Sequence, residues 1–196
     1  DGEARKRGIV GVENQGLAFS RDGGATWEKY AGNPVLRNSG ESDFRDPKVF
    51  PSPTGSGWNL VLAAGDRIKI YSSDNLRDWR HESDFFPDAE SFGVWECPDL
   101  FQINAGTGLA WVMLLSQTSA APNGGSGTRY LVGDFDGCSF TARSPLRWID
   151  CGKDYYAAAT YSNTVGEKRI IVGWMSNWQY AAKTPTRTWR GAMALP

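Results

Sequence analysis

The chain has 196 residues, 40% of them hydrophobic, and a formal net charge of −1, enough for one or two ordinary cores. Without a basic block or an acidic tail there is no electrostatic case for nucleic acid or an anionic membrane as partner. The longest apolar run, Leu109 to Leu115, is too short to span a bilayer, and one histidine, His81, with three cysteines and no C-x-x-C argues against a zinc site.

Taken in chain order, the segments read as strands and turns. Residues 1–45 carry the turn "SRDGGATW" (Ser20–Trp27), with the pattern S-x-D-x-G-x-x-W. "FRDPKVF" follows, then the β-type runs "WNLVLAA" and "RIKIYSS" and a second turn, "SSDNLRDW" (Ser72–Trp79), 52 residues after the first. Next come "WECPDLF", "LAWVMLLS" and "RYLVGDF", with a looser copy of the turn in "GDFDGCSF". "GKDYYAAAT" and "RIIVGWM" complete the series. Short β-type runs bounded by Gly-, Pro- and Asn-rich clusters predict an all-β fold. A period near 50 residues, with about four strands per unit, predicts β-propeller blades. Residues 1–45 are the remnant of one blade, and 46–95, 96–153 and 154–196 are successive blades. In the repeated turns Asp22 and Asp74 are expected to pin the loop, and Trp27 and Trp79 to pack.

Asp46, Glu96 and Asp154 stand just before the first strand of three units, 50 and 58 residues apart. First strands line the axis of a propeller, so the three carboxylates are expected to converge at one mouth. Trp95, Cys97 and Pro98 give Glu96 an apolar surround, expected to raise its pKa and suit it as a general acid. Arg45 adjoins Asp46, which is expected to stay ionised. One carboxyl kept protonated beside another kept ionised is what cleavage of a glycosidic bond needs. A mechanism resting on His81, in the polar stretch "RHESD", is not favoured. Nine tryptophans among 23 glycines fit aromatic sugar-binding surfaces.

The motifs "FRDP", "WECPDLF", "GKDYYAAATYSN" and "GWMSNWQYAAKTPTRTWRGAMALP" closely resemble glycoside hydrolase family 32, the invertases, inulinases and levanases. The resemblance implies a five-bladed propeller, usually followed by a β-sandwich, that hydrolyses β-fructofuranosides with retention and without metal or other cofactor. It implies secretion and a fructan or sucrose substrate. By resemblance Glu96 is the acid/base and Asp46 the transition-state stabiliser. Arg45 binds fructose hydroxyls beside Asp46. Lys153, Asp154 and Tyr155 match a segment near the substrate. Trp174 is either a sugar-facing aromatic or a core residue after "RIIV", and Cys97 is a free thiol tuning the surroundings of Glu96. Cys138 and Cys151 could pair if the protein is secreted.

The family's nucleophile is the aspartate of an Asn-Asp-Pro segment, and no such segment occurs here; "GNPV" (Gly32–Val35) lacks the aspartate. The expectation is therefore an interior piece of a β-fructofuranosidase, inactive alone. Two alternatives stay open: a fructosyltransferase of the same fold and a non-catalytic sugar-binding propeller.

Overall fold

The computed structural model describes residues 12–87, 94–106, 108–165, 168–189 and 191–194. A two-stranded sheet opens the chain, β1 (Ala18–Phe19) with β2 (Glu28–Lys29). Four antiparallel strands follow in simple meander order: β3 (Phe44–Pro51), β4 (Trp58–Ala64), β5 (Arg67–Ser73) and β6 (Arg80–Phe85). The next meander is β7 (Trp95–Asn104), β8 (Leu109–Gln117), β9 (Gly127–Phe135) and β10 (Phe140–Ala142), with β11 (Arg147–Trp148) sharing the outer edge of β9. A third sheet pairs β12 (Tyr156–Thr160), β13 (Ile171–Trp174) and β14 (Met193–Ala194). Among the described residues the one short 3-10 turn is Ala181–Lys183. Among the described residues no helix is long and apolar enough to cross a membrane. The all-β reading and the partial propeller hold.

The two longest apolar runs explain how the sheets stack. Along β4, Val61 and Ala63 enter one core with Trp95, Met113 and Leu115, while Leu60, Leu62 and Ala64 enter a second with Phe44 and Tyr71. Along β8, Met113 and Leu115 face back to β4, and Val112 and Leu114 face forward to Tyr155 and Ala158. Successive side chains alternate between faces, so a strand covered on both sides must be apolar at nearly every position. Each such aliphatic side chain contributes about 1.5–3 kcal/mol when fully buried. The outer strand β6, "RHESDF", is the opposite case: its charges blunt a sheet edge. It also carries His81, whose Nε2 lies 2.6 Å from Asp84 Oδ1 on the far side of the sheet from β3.

Turns are held locally. Between β4 and β5 the two-residue turn Gly65–Asp66 uses a glycine at φ 61°. Asp22 accepts from the Thr26 amide at 2.9 Å and hydroxyl at 2.7 Å, as expected of a pinning residue. In the second turn the acceptor is Asn75, not Asp74: the amides of Arg77 and Asp78 both lie 2.9 Å from Asn75 Oδ1. Trp79 packs against the second core, whereas Trp27 is 65% exposed and donates only to Gly24 O. The sheets are also tied together, since Asn59 Nδ2 donates to Gly137 O at 2.7 Å and Ser83 Oγ to Cys138 O at 2.7 Å. Cys97, Cys138 and Cys151 are all free thiols.

Candidate active site

The strands β3, β7 and β12 share one irregularity. Arg45 pairs with Ala63 but Lys48 with Val61; Glu96 pairs with Ser116 but Asp99 with Leu114; Tyr156 pairs with Trp174 but Ala159 with Val172. In each case one extra residue bulges, and the residue after the first pair is left-handed: Asp46 (φ 61°), Cys97 (φ 48°) and Ala157 (φ 53°). A left-handed non-glycine residue costs about 1–3 kcal/mol, and bulges of this kind re-aim side chains. The bulges also define which positions are equivalent. Arg45, Glu96 and Tyr156 form one row, and Asp46, Cys97 and Ala157 the next. The equivalence of Asp46, Glu96 and Asp154 drawn from sequence is thus corrected: Glu96 falls one residue before the counterpart of Asp46, and Asp154 three before its own.

The first row meets in space. Glu96 Oε1 accepts from Arg45 Nη2 at 2.9 Å and from Nε at 3.2 Å, and Oε2 accepts a short hydrogen bond from the Tyr156 hydroxyl. Arg45 Nη1 continues outward to Asp43 Oδ1 at 2.5 Å and to Glu13 at 3.2 Å. Partial burial works against the Arg45 charge, but the bonds to Asp43 and Glu96 and the nearby Glu13 outweigh it and raise its pKa further. Burial, then the carboxylate of Glu96, pushes the Tyr156 phenol well above its ordinary value, so it stays a donor.

These contacts differ from those expected of chain neighbours. Trp95 lies in the core, on the other face of β7 from Glu96, so the Glu96 carboxylate meets a guanidinium and a phenol. Arg45 does not bond to Asp46. Instead Asp46 Oδ2 accepts from the Cys97 amide at 3.0 Å and from the Cys97 thiol at 3.6 Å. Burial, with the charge of Asp46, pushes that thiol up to about 12.

Tyr155 is 3% exposed and packs with Phe101, Val112 and Leu114, its hydroxyl unpartnered; Tyr156, which sequence reasoning passed over, is the tyrosine that reaches Glu96. Asp154 keeps a buried, unpartnered Oδ1, and Lys153 is exposed. Neither meets Glu96 or Asp46 directly. Trp174 sets its ring 6.4 Å from Tyr156 and 5.1 Å from Trp178, and Trp178 is 56% exposed. Glu13, Asp43 and Trp178 were also missed. Only the alternation of β3 could have signalled Asp43, two residues from Arg45.

Below this row the same three strands make a second contact. Lys48 Nζ lies 3.0 Å from Asp99 Oδ2 and 2.8 Å from Thr160 O, and Asp99 Oδ2 accepts from the Thr160 amide at 2.7 Å. The inner strands of three sheets are therefore joined at two levels by side chains.

Comparison with known proteins supplies the family. The model for the glycosyl hydrolases family 32 N-terminal domain matches residues 3–196. The chain is 49% identical over 195 residues to a levanase of Bacillus subtilis (strain 168), covering 95% of this chain and 29% of that protein. It is 40% identical over 205 residues to an extracellular exo-inulinase of Aspergillus niger, covering 94% of this chain and 38% of that protein. The chain thus spans about a third of the length of these curated relatives. Among solved structures, β-fructofuranosidase from Schwanniomyces occidentalis complexed with fructosyl-erythritol matches with a TM-score of 0.86 at 38% identity, covering 95% of this chain and 37% of that one. Exo-inulinase from Aspergillus awamori gives 0.87 at 39% identity, covering 93% and 40%. With its stacked sheets and its carboxylate-centred junction of inner strands, the chain belongs to glycoside hydrolase family 32, within the family's N-terminal domain.

Proposed function

We propose that the whole protein hydrolyses β-fructofuranosidic bonds of fructans or sucrose with retention, and that Glu96 is its acid/base. The observation that carries this reading is the Glu96 carboxyl held from both sides, by Arg45 and Tyr156, on three neighbouring sheets. A group that must give a proton to a leaving oxygen and take one back from water needs a fixed position. Asp46, beside it in the second row, stabilises the positive charge that develops on the sugar ring. Carboxyl groups outnumber the guanidinium here: Glu13, Asp43 and Glu96 surround Arg45, and Asp46 adds another. Excess negative charge favours an oxocarbenium-like transition state. Arg45 and Asp154 bind fructose hydroxyls, with Lys153 and Trp174 at the rim.

Residues 1–196 contain no Asn-Asp-Pro segment, so the nucleophilic carboxylate belongs to another part of the protein and this stretch binds sugar without turning it over. The protein works outside the cell, a reading supported by its likeness to an extracellular exo-inulinase.

The test is leaving-group dependence in the longer protein. Glu96→Gln lowers kcat on the order of 10²–10⁴-fold with a fructan, while a fructoside whose leaving group needs no proton is spared. Asp46→Asn lowers both alike. Equal loss with the two substrates after Glu96→Gln would assign the proton transfer to another residue. Product analysis at high sucrose separates hydrolysis from fructosyl transfer.

A further inference from the structure

The inner strands continue well past the Glu96 row. Beyond the contact of Lys48 with Asp99 and Thr160, the far ends of β3 and β7 and the segment after β12 open on a cavity of about 440 Å³. That volume is ordinary for a small-molecule site. Gln102, on its wall, stands six residues beyond Glu96 along β7. At about 3.3 Å per residue, the cavity lies roughly 15–20 Å from the Glu96 carboxyl, with the Lys48–Asp99 pair between the two.

The walls combine aromatic faces with groups that bond to hydroxyls. Gln102 and Trp111 are cross-strand partners on β7 and β8, so their side chains share one face. The Trp111 ring stands 6.0 Å from that of Phe50 on β3, and both are half-buried. Arg169 is exposed on another side, its guanidinium 5.6 Å from the Phe101 ring and its Nη2 donating to Gln102 O at 3.3 Å. Asp99 closes the inner end. Its side chain is 1% exposed; Lys48 and Thr160 take Oδ2, while Oδ1 is buried without a partner. A carboxylate oxygen short of a donor favours a hydroxyl and works against an anion, and the charge of Lys48 is already met by Asp99. A carboxamide both donates and accepts, as a sugar hydroxyl does, and a guanidinium brings five donors. Aromatic rings beside such groups suit a ligand with one apolar face and several hydroxyls.

We propose that this cavity is a second sugar site, remote from Glu96, that holds a neutral sugar unit of a fructan chain and does not cleave it. The choice of fructan rests on the function proposed above; the site itself does not. Its part is to keep a long chain on the protein between cleavages, since a tethered chain meets the Glu96 pocket at a raised effective concentration.

The experiment is an NMR titration of the chain with a linear fructose trimer, read at the indole N–H signals. Trp111 reports on the cavity and Trp174 on the pocket at Glu96. In the parent chain the trimer moves both signals. In Arg169→Ala the Kd read at Trp111 rises about tenfold, the loss of a hydrogen bond from a charged donor, while the Kd read at Trp174 stays within about twofold. Gln102→Ala gives the same selective loss and carries the test if Arg169→Ala does not fold. A Trp111 signal that ignores the trimer, or an equal rise at both reporters, overturns the proposal. So does a Trp111 signal that follows sodium benzoate and not the sugar, which marks an anion site. A trimer that moves Trp111 and not Trp174 leaves the second site standing and overturns the reading of the Glu96 pocket instead.

Discussion

Two consecutive tyrosines, Tyr155 just before β12 and Tyr156 at its first position, meet opposite fates because neighbours in extended chain face opposite ways. The hydroxyl of Tyr156 donates to Glu96, while that of Tyr155 is buried without a partner. Tyr156→Phe therefore leaves the Glu96 carboxyl to Arg45 alone. In the longer protein kcat/KM falls about ten- to a hundredfold, in line with about 1.5–3 kcal/mol for a hydrogen bond to a charged group. Tyr155→Phe removes a polar atom that gains nothing from the core. Its activity is unchanged and its Tm is equal to or above that of the parent. The pair checks the face assignment directly, since a reversed pattern of losses places Tyr155 at the carboxyl instead.

At the scale of the element, turns and bulges decide how much could be read from the chain. The apolar runs at β4 and β8 were legible because a strand buried on both faces writes its burial into nearly every residue. The motif carboxyls Asp46 and Glu96 were legible for a different reason: charge in an otherwise apolar strand entry calls for an explanation. Their partners were not, because a bulge shifts the register by one residue and no composition signal marks it; Ala157 occupies the third bulge as an ordinary alanine. The same slip separates Asp74 from Asn75 in the second turn. The third turn is held by Asp136, which accepts from the amides of Ser139 at 2.7 Å and Cys138 at 2.8 Å. These amides hold its carboxyl below the ordinary value of 3.8. A value lowered by folding gives a contribution that is complete above 3.8 and is lost as pH falls through the folded value. Asp136→Ala accordingly costs about 1 kcal/mol at neutral pH, and the difference from the parent narrows in acid. Urea unfolding at neutral pH and in acid checks this; a gap that widens in acid contradicts it.

Across the whole molecule, the sheets are joined mainly by apolar faces, with two charged junctions on the inner strands. Asp99 is 1% exposed on its side chain and Lys48 23%, so their 3.0 Å contact is only partly shielded from water. Asp99→Ala strands Lys48 and costs about 2–3 kcal/mol, somewhat under the figure for a wholly buried pair. Asp99→Leu combined with Lys48→Met recovers most of that loss, since no charge is left without a partner. Denaturant midpoints of the single and double variants test this, and additive losses would show that the two side chains do not act as a pair.

The bonds that frame Glu96 also carry a consequence for the order in which the protein forms. They join residues 51 and 60 positions apart, whereas the hairpins within the two four-stranded meanders close over loops of two to nine residues. Short loops close early and long ones late. The strands and their turns are thus assembled first and the carboxyl is framed last, when the third sheet docks. The framed carboxyl is then a property of the finished stack, absent from every intermediate in which one of the three sheets stands apart.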